Sequence, residues 1–401
     1  MATELYGVDA QLVKSIGVTP VSTETNIIFL GSSPEGDLNK PVLITSLADY
    51  ESKLGGEPGD GFNLTEAAIA AFSVANIDKC WMIPVSHSQD VVEGDYIGSA
   101  NDETGVYAIE KLLRNNPTTV NLICAPSVYN STILSAINTI CQKAAGHWQS
   151  FMVYDVAQDV DQINSSGVAI VSDIVISKQL NSERARAVWA NVLTSGGYSI
   201  SGAAVQACLM AVSDSNYGVP ARCGGNLNVQ NIQNICIKVD SDPAIVVLKE
   251  SDATQLSADG ICSWINYGGG IWHTWGDHTS AFSEGSISEE RGRFDNYIRM
   301  QMMISNRFQL KYRFTIDDPM TLQMRNDVIT EEEDYLNSIV AIGALVGQPK
   351  VEFVAAENSI DRIAQGYFTW SISTTEAPPR KYMLAKVAYT QAGLDVFTQE
   401  G

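Results

Sequence analysis

The stretch that decides the fold is residues 120–154, VNLICAPSVYNSTILSAINTICQKAAGHWQSFMVY. Its apolar run at 120–125 predicts a buried strand, 131–145 predicts a helix, and 151–154 predicts the next strand. Strands that alternate with helices of about ten to fifteen residues are typical of β-α-β units, which place their strands in a parallel sheet. The middle of the chain is therefore predicted to be α/β.

The same alternation continues on both sides of this stretch. Upstream, strands are predicted at 26–31, 41–46 and 80–85, and helices at 63–72 and 105–114. Downstream, the sequence predicts a helix at 202–211, a strand-rich stretch at 235–248 and a hairpin at 260–276. The glycine triplet 268–270 leads into a strand and not into a helix, so it predicts a tight turn and not a phosphate cradle.

The pattern changes near residues 283–293. A helix is predicted at about 294–308, a strand-like stretch at 309–315, and a second helix whose capping box is Thr330 with Glu333 and whose C-terminal glycine is Gly347. Phe368–Ser373 alternates apolar and polar side chains, which predicts a half-buried strand.

The prolines at 378 and 379 then interrupt the chain. The following segment, 380–397, is rich in residues that favour strands but alternates only loosely. Two interpretations remain open: a strand donated to a neighbouring molecule, or an edge strand of its own domain.

Composition excludes several functional classes. The 401 residues include 25 Lys and Arg against 46 Asp and Glu, a formal net charge of -21. Nucleic acid is not the expected partner, because phosphate binding needs a basic surface. There is no basic-plus-apolar leader pattern and no apolar run of about 18 residues, so we expect a soluble protein without membrane insertion. The seven scattered cysteines are predicted to be buried, reduced thiols.

Candidates for catalysis are few. His273 and His278 would point to opposite faces of a strand, which disfavours a shared metal ion. Ser201 precedes a helix and is better explained as its N-cap than as a nucleophile. Asp155 ends a parallel strand, but a single carboxylate in that place is weak support for an active site. No catalytic residue, metal ligand or cofactor is predicted, and the chain is not expected to be an enzyme.

One segment carries an excess of positive charge. Its cations are Arg291, Arg293, Arg299, Arg307, Lys311, Arg313 and Arg325, and the acidic residues among them are Asp295, Asp317 and Asp318. In a chain of charge -21, such a segment is a candidate contact surface for an acidic partner. The alternative is a solvated face that balances the acidic residues beside it.

Four blocks, in the same order, resemble the contractile-tail sheath family. They lie at 26–56 (NIIFLG, PVLITSLADY, LGG), 197–226 (GYSISGAA, DSNYGVPA), 258–276 (ADGICSWINYGGGIWHTWG) and 317–347 (DDPM, YL, GALVG). Two departures stand out. His278 occupies the position where the family often has arginine before Thr279, and no proline precedes the Ser201-Gly202 pair.

The resemblance implies an α/β core with a subtilisin-like fold and no catalysis, an α+β C-terminal domain, and extended β arms at both ends. The implied divisions are an N-terminal arm at 1–20, the core at 21–285, a domain facing an inner tube at 286–377, and a C-terminal arm at 378–401. The arm residues expected to pair with neighbouring subunits are Leu5, Tyr6, Val8, Tyr382, Leu384, Val387, Tyr389, Val396 and Phe397. The residues expected to contact the tube or a neighbour are Arg291, Arg293, Arg299, Arg307, Lys311 and Arg313.

The implied function is that of a sheath subunit. It would assemble with copies of itself as a helical homopolymer and with tail tube, baseplate and tail terminator proteins, first in the bacterial cytoplasm and then in a phage or related particle. Two alternatives remain: a tail or baseplate protein that does not polymerise, and an α/β hydrolase.

Overall fold

The structure is a computed structural model of the chain. It describes residues 25–115, 119–142, 148–160, 168–170, 174–239, 242–283 and 290–397. The described strands are β1 Ile27–Ser32, β2 Val42–Ile44, β3 Cys80–Ser86, β4 Leu122–Cys124, β5 Phe151–Asp155, β6 Ala157–Val160, β7 Val168–Ile170, β8 Ile174–Ser177, β9 Ala185–Val188, β10 Asn191–Thr194, β11 Ser199–Ile200, β12 Asn228–Val229, β13 Ile232–Val239, β14 Asp242–Val247, β15 Ile261–Asn266, β16 Trp272–Trp275, β17 Lys350–Glu352 and β18 Ser371–Ser373.

The α-helices lie between these strands and beyond them. They are α1 Leu47–Leu54, α2 Asn63–Ile69, α3 Glu93–Ile97, α4 Ala108–Asn115, α5 Ser131–Gln142, α6 Gly202–Tyr217, α7 Glu250–Ala258, α8 Asp295–Tyr312, α9 Leu322–Ala341 and α10 Ile360–Ala364.

A nine-stranded sheet organises the molecule, in the order β12-β16-β15-β9-β5-β4-β1-β3-β2. Its six central strands, from β15 to β3, are mutually parallel, whereas β2 at one edge and β16 and β12 at the other are antiparallel to their neighbours. All six residues of β1 are buried, as expected of a parallel strand covered on both faces. The predicted parallel α/β core is therefore confirmed, and the predicted hairpin is formed by β15 and β16.

Smaller sheets complete the architecture. Five strands form a second sheet in the order β11-β10-β13-β14-β7, while β6 pairs with β8 and β17 pairs with β18. Helix α6 contacts β1, β4, β5 and β9 of the large sheet and β10 of the second sheet. Most of its side chains are buried, because a helix enclosed on several sides has little polar face.

Helix α8 joins two hydrophobic clusters. Ile298 and Met302, one turn apart, pack into the large cluster that surrounds the nine-stranded sheet. Met300 and Ile304, shifted by two residues, pack into a smaller cluster with α9 and the β17–β18 sheet. One helix therefore links the α/β part of the chain to the C-terminal part through opposite faces.

A buried ion pair reinforces this joint. Arg186 on β9 places Nη1 2.5 Å from Asp295 Oδ2 at the start of α8, and neither side chain is exposed. The guanidinium also donates to Gln206 Oε1 at 2.6 Å and to the Gly276 carbonyl at 2.7 Å. A single side chain thus ties β9 to α6, to the hairpin and to α8.

Three predictions for the C-terminal part are wrong or only partly correct. Residues 309–315 are not strand-like, because α8 continues to Tyr312 and a 3-10 turn follows. Helix α9 begins eight residues before the predicted Thr330 cap, with the Thr321 hydroxyl accepting from Met324 N at 3.1 Å. The alternating stretch at 368–373 is a strand only over Ser371–Ser373.

Candidate assembly surface

Residues 380–394 form a continuous exposed segment at the C-terminal end of the described chain. The described part of 380–397 contains no strand, and its regular element is a 3-10 turn at Ala392–Phe397. The predicted arm residues keep most of their surface exposed: Tyr382 80%, Leu384 65%, Val387 95%, Tyr389 80%, Val396 71% and Phe397 85%. The segment is therefore not an edge strand of its own domain in this structure, and exposed apolar rows of this kind mark interaction sites.

The backbone of this segment is also unpaired with the body. The last ladder contact is made by Ala377, whose amide donates to the Ala344 carbonyl at 3.1 Å and whose carbonyl accepts from Asn296 Nδ2 at 3.3 Å. Beyond Pro379, the backbone bonds of the described residues are local, such as the 2.9 Å bond from Lys381 N to the Pro379 carbonyl. Amides and carbonyls along the segment are thus free to form a ladder with another chain.

The β17–β18 sheet offers a place for such a ladder. Val351 of β17 is paired with Ile372 of β18, and in the described part of the chain no third strand covers the outer edge of either. A two-stranded sheet is marginal in water on its own, and here it is supported by the smaller hydrophobic cluster. Open edges of this kind accept additional strands.

The predicted N-terminal contact residues Leu5, Tyr6 and Val8 lie outside the described residues. The described chain starts just before β1, where Asn26 N donates to Asn121 Oδ1 at 2.9 Å.

The segment of excess positive charge is largely neutralised inside the chain. Arg299 forms a buried ion pair with Asp214, and its side chain is 4% exposed. Arg307 and Lys311 both contact the buried carboxylate of Glu332, at 2.5 and 3.1 Å. For Arg299 the predicted tube contact is wrong in this structure, because the guanidinium is enclosed and its charge already has a partner.

The other predicted cations differ in exposure. Arg291 is exposed and lies 3.4 Å from the Glu183 carboxylate. Arg293 is partly buried, over the aromatic rings that follow β16. Arg313 is exposed at the turn between α8 and α9, with its guanidinium 4.5 Å from the centroid of Phe314, which is itself 78% exposed. The six cations therefore lie in different environments: Arg299 is buried, Arg307 and Lys311 share Glu332, Arg293 is partly buried, and Arg291 and Arg313 are exposed.

A buried polar cluster lies where the parallel strands end. Asp155 Oδ2 accepts from Ser201 Oγ at 2.6 Å and from Ser127 N at 2.8 Å, and burial raises the pKa of Asp155 to about 6. Ser201 also accepts from Ala204 N at 3.0 Å, which confirms its predicted role as the N-cap of α6. Glu66 accepts from Ser127 Oγ at 2.6 Å and from Ser201 N at 2.9 Å.

These carboxylates are occupied by donors that hold strand ends and helix starts together, and no histidine of the described residues takes part in the cluster. A cavity of about 350 Å³ opens beside it. The other residues that line this cavity are Gly61, Asn63, Gln89, Val91, Tyr129 and Ala157. The arrangement positions backbone and does not present an activated nucleophile.

The two candidate metal-binding histidines are separated. His273 lies on β16 with its ring edge-on to Tyr267, whereas His278 is buried beyond the strand. Within the described ranges, no group of three His, Cys, Asp or Glu residues is arranged to hold a metal ion. All seven cysteines are buried thiols outside any disulfide, as predicted. None of the described helices is long and apolar enough to cross a membrane.

No protein-family model and no curated protein matches this chain. Solved structures match it over nearly its full length. A chain of the PVC sheath complex of an extracellular contractile injection system, in the contracted state, has a TM-score of 0.68 at 15% identity, covering 98% of this chain and 99% of its own. The helical sheath of the anti-feeding prophage in the contracted state has a TM-score of 0.66 at 16% identity, covering 97% and 100%.

A crystal structure supports the same likeness. The sheath tail protein from Desulfitobacterium hafniense has a TM-score of 0.56 at 12% identity, covering 86% of this chain and 93% of its own. The large mixed sheet, its helices and the C-terminal part are therefore shared with proteins of one kind. The predicted resemblance is confirmed at the level of the fold: this chain has the fold of contractile sheath proteins.

Proposed function

We propose that this chain is the structural subunit of a contractile tail sheath. It polymerises as a helical sleeve around a tail tube and contracts to drive the tube through the envelope of a target cell, without catalysing a reaction. The observation that carries the proposal is the exposed apolar segment 380–397 on a chain with a sheath fold. Such a segment is unfavourable in water and becomes favourable when another chain covers it.

The segment is proposed to enter the open edge of the β17–β18 sheet in a neighbouring subunit. In an extended strand, Met383, Ala385, Val387 and Tyr389 fall on one face, while Tyr382, Leu384 and Lys386 fall on the other. The first face would be buried, and main-chain hydrogen bonds would supply affinity that does not depend on rigid packing.

Residues 1–20, which include Leu5, Tyr6 and Val8, are proposed to act in the same way at the other end of the chain. Head-to-tail contacts that do not close into a ring build a helix, which is the geometry a sleeve requires.

Contraction in this scheme needs no nucleotide. An extended sleeve that is kinetically trapped relaxes once one end is released, and flexible strand connections allow rigid cores to rotate against each other. Burial of apolar surface contributes about 25 cal/mol per Å², so a few hundred Å² per subunit contributes several kcal/mol. The charge of -21 opposes close packing, so the contracted contacts must be locally complementary or screened by salt.

The finer organisation is also a proposal. Residues 21–285 form a subtilisin-like core without activity, and 286–377 face the tube; the parallel centre of the large sheet and the separate C-terminal cluster support this division. The proposed partners are the tail tube, baseplate and tail terminator proteins, with assembly in the bacterial cytoplasm before the particle forms.

For tube or neighbour contact, the exposed Arg313 and Arg291 are favoured over the buried Arg299. Charge reversal by Arg313→Glu should weaken binding to the tube in a co-sedimentation assay without lowering the stability of the subunit. Unchanged tube binding would exclude Arg313 from that contact.

Negative-stain electron microscopy of the purified full chain tests the function. We expect cylinders with a regular helical repeat, and pelleting of the protein when it is centrifuged at assembly concentrations. Discrete rings or small oligomers would instead identify a tail or baseplate protein that does not polymerise. A monomer that hydrolyses simple ester or amide probes would identify a hydrolase.

A further inference from the structure

Lys381 is the last residue before the chain end whose side chain contacts the body in the described structure. Its Nζ lies 2.9 Å from His278 Nε2 and 3.6 Å from Asp277 Oδ1. Within 382–397, no described side chain has a hydrogen bond or an ion pair to the body. The contact therefore lies at the boundary between the folded body and the exposed segment.

The His278 imidazole, which contacts the Lys381 ammonium, is held in one orientation by its neighbours. The His278 side chain is 1% exposed, and its ring stacks on Phe282 with centroids 3.6 Å apart and on Phe294 at 5.6 Å. Its Nδ1 lies 2.9 Å from the Ser257 carbonyl, which can only accept, so Nδ1 carries the proton. The lone pair of Nε2 is then directed at the ammonium of Lys381, which can only donate.

The charges around the ring favour the same arrangement. Asp277 Oδ1 is buried, lies 3.4 Å from His278 Nε2 and forms no hydrogen bond in the described part of the chain, so the Lys381 ammonium supplies its nearest balancing charge. The second cation is Arg293, whose guanidinium lies 5.3 Å from the ring centroids of both Phe282 and Phe294. Burial lowers the pKa of His278 to about 4, so the ring is neutral at pH 7 and can accept from lysine.

We propose that Lys381 is the anchor of the C-terminal segment: its ammonium binds the His278 imidazole and the Asp277 carboxylate and fixes the point at which the segment leaves the body. Freedom to move then begins at Tyr382. Fully extended at about 3.3 Å per residue, 382–397 reaches about 50 Å from that point. Anchoring sets the origin and direction of this reach, so that the segment meets its target sheet in one register. Only this last consequence rests on the proposed function.

The test compares Lys381→Met with Arg380→Met in the full chain. Both variants lose one positive charge, but Arg380 is exposed and no described contact joins its side chain to the body. A nitroxide label at a Lys386→Cys site, on the face that is not proposed to be buried in a neighbour, reports the mobility of the segment, and the native cysteines are buried. We expect label mobility to increase several-fold in Lys381→Met and to stay at the wild-type value in Arg380→Met.

Titration of His278 followed by NMR supplies a readout that a merely structural role would not change. Lys381→Met should raise the midpoint by about 0.5–1 pH unit, because a neighbouring positive charge is lost, and Asp277→Asn should lower it. Equal label mobility in both lysine and arginine variants, or an unchanged His278 midpoint in Lys381→Met, would overturn the proposal. Cylinder formation is scored separately by electron microscopy. If the sheath proposal fails, the label mobility and the His278 titration can therefore still be interpreted.

Discussion

Replacing Arg186 with methionine should remove a large part of the stability of this chain. The guanidinium is fully enclosed and lies 2.5 Å from Asp295 Oδ2, so the variant leaves a buried carboxylate without its counter-ion. Breaking a buried pair from one side costs about 3–5 kcal/mol, and the Gly276 carbonyl loses a donor as well. The free energy of unfolding of a typical domain is about 5–15 kcal/mol, so this loss would be a substantial fraction of it.

Urea denaturation followed by tryptophan fluorescence measures this effect. The matched control is Lys350→Met, which breaks an ion pair whose side chains are 62% and 44% exposed and should change stability by less than about 1 kcal/mol. The double variant Arg186→Met with Asp295→Leu should recover about half of the loss, because no unpaired charge remains buried. If Arg186→Met alone unfolds with the same urea midpoint as the wild type, the view that this ion pair joins the sheet to α8 is refuted.

Three further changes test buried charge elsewhere in the chain. The His278 contribution to the free energy of unfolding should fall by up to about 3 kcal/mol as pH decreases from about 6.5 to 4, because the unfolded chain protonates this imidazole at a higher pH than the folded chain does. His278→Gln should abolish this contribution in urea titrations carried out at a series of pH values. Asp155 acts with the opposite sign: burial raises its pKa in the folded chain to about 6, so the free energy of unfolding should fall as pH rises from about 4 to 6, because the folded chain keeps that proton longer. Asp155→Asn should remove this fall in the same titrations. Glu332→Leu should destabilise the chain by about 3–5 kcal/mol, since Arg307 and Lys311 lose the carboxylate they share, and thermal melts that match the wild type would contradict this.

The parallel core could be predicted because buried parallel strands are continuous apolar runs. Ile27–Ser32 and Leu122–Cys124 are buried throughout, so no alternation with polar residues obscures them. The hairpin was equally readable, since Gly268, Gly269 and Gly270 all adopt the left-handed backbone that its turn requires. Local pattern and tertiary environment agree at these places.

The strand-rich stretch predicted at 235–248 corresponds to β13 and β14, but β7, β10 and β11 of the second sheet and β9 of the large sheet were not predicted, for two reasons. Strands such as Asn191–Thr194 are only four residues long and give little periodic signal. In β9, Arg186 interrupts the apolar pattern, and its burial becomes understandable only with Asp295, which lies 109 residues away. Long-range compensation of charge leaves no local mark in the sequence.

The contact surface of positive charge was predicted by counting the charged residues in one segment of the sequence. Such a count does not show which cations form ion pairs with distant carboxylates in the fold. Arg299 meets Asp214 across 85 residues, and Arg307 meets Glu332 across 25. A usable signal was present in the second case: Arg307 and Lys311 are one helical turn apart, opposite the acidic run that begins at Glu331. Thr330 and Glu333 matched a capping box, but they lie inside a helix that had already begun after Thr321.

The account depends most on the exposed C-terminal segment acting between subunits, and shortening the chain after Pro379 tests this directly. The shortened chain removes Tyr382, Val387 and Tyr389 but retains every described strand and α-helix, so circular dichroism should show an intact fold. Electron microscopy and sedimentation should then show subunits that no longer form cylinders under conditions in which the full chain does. Long cylinders built by the shortened chain would contradict the account.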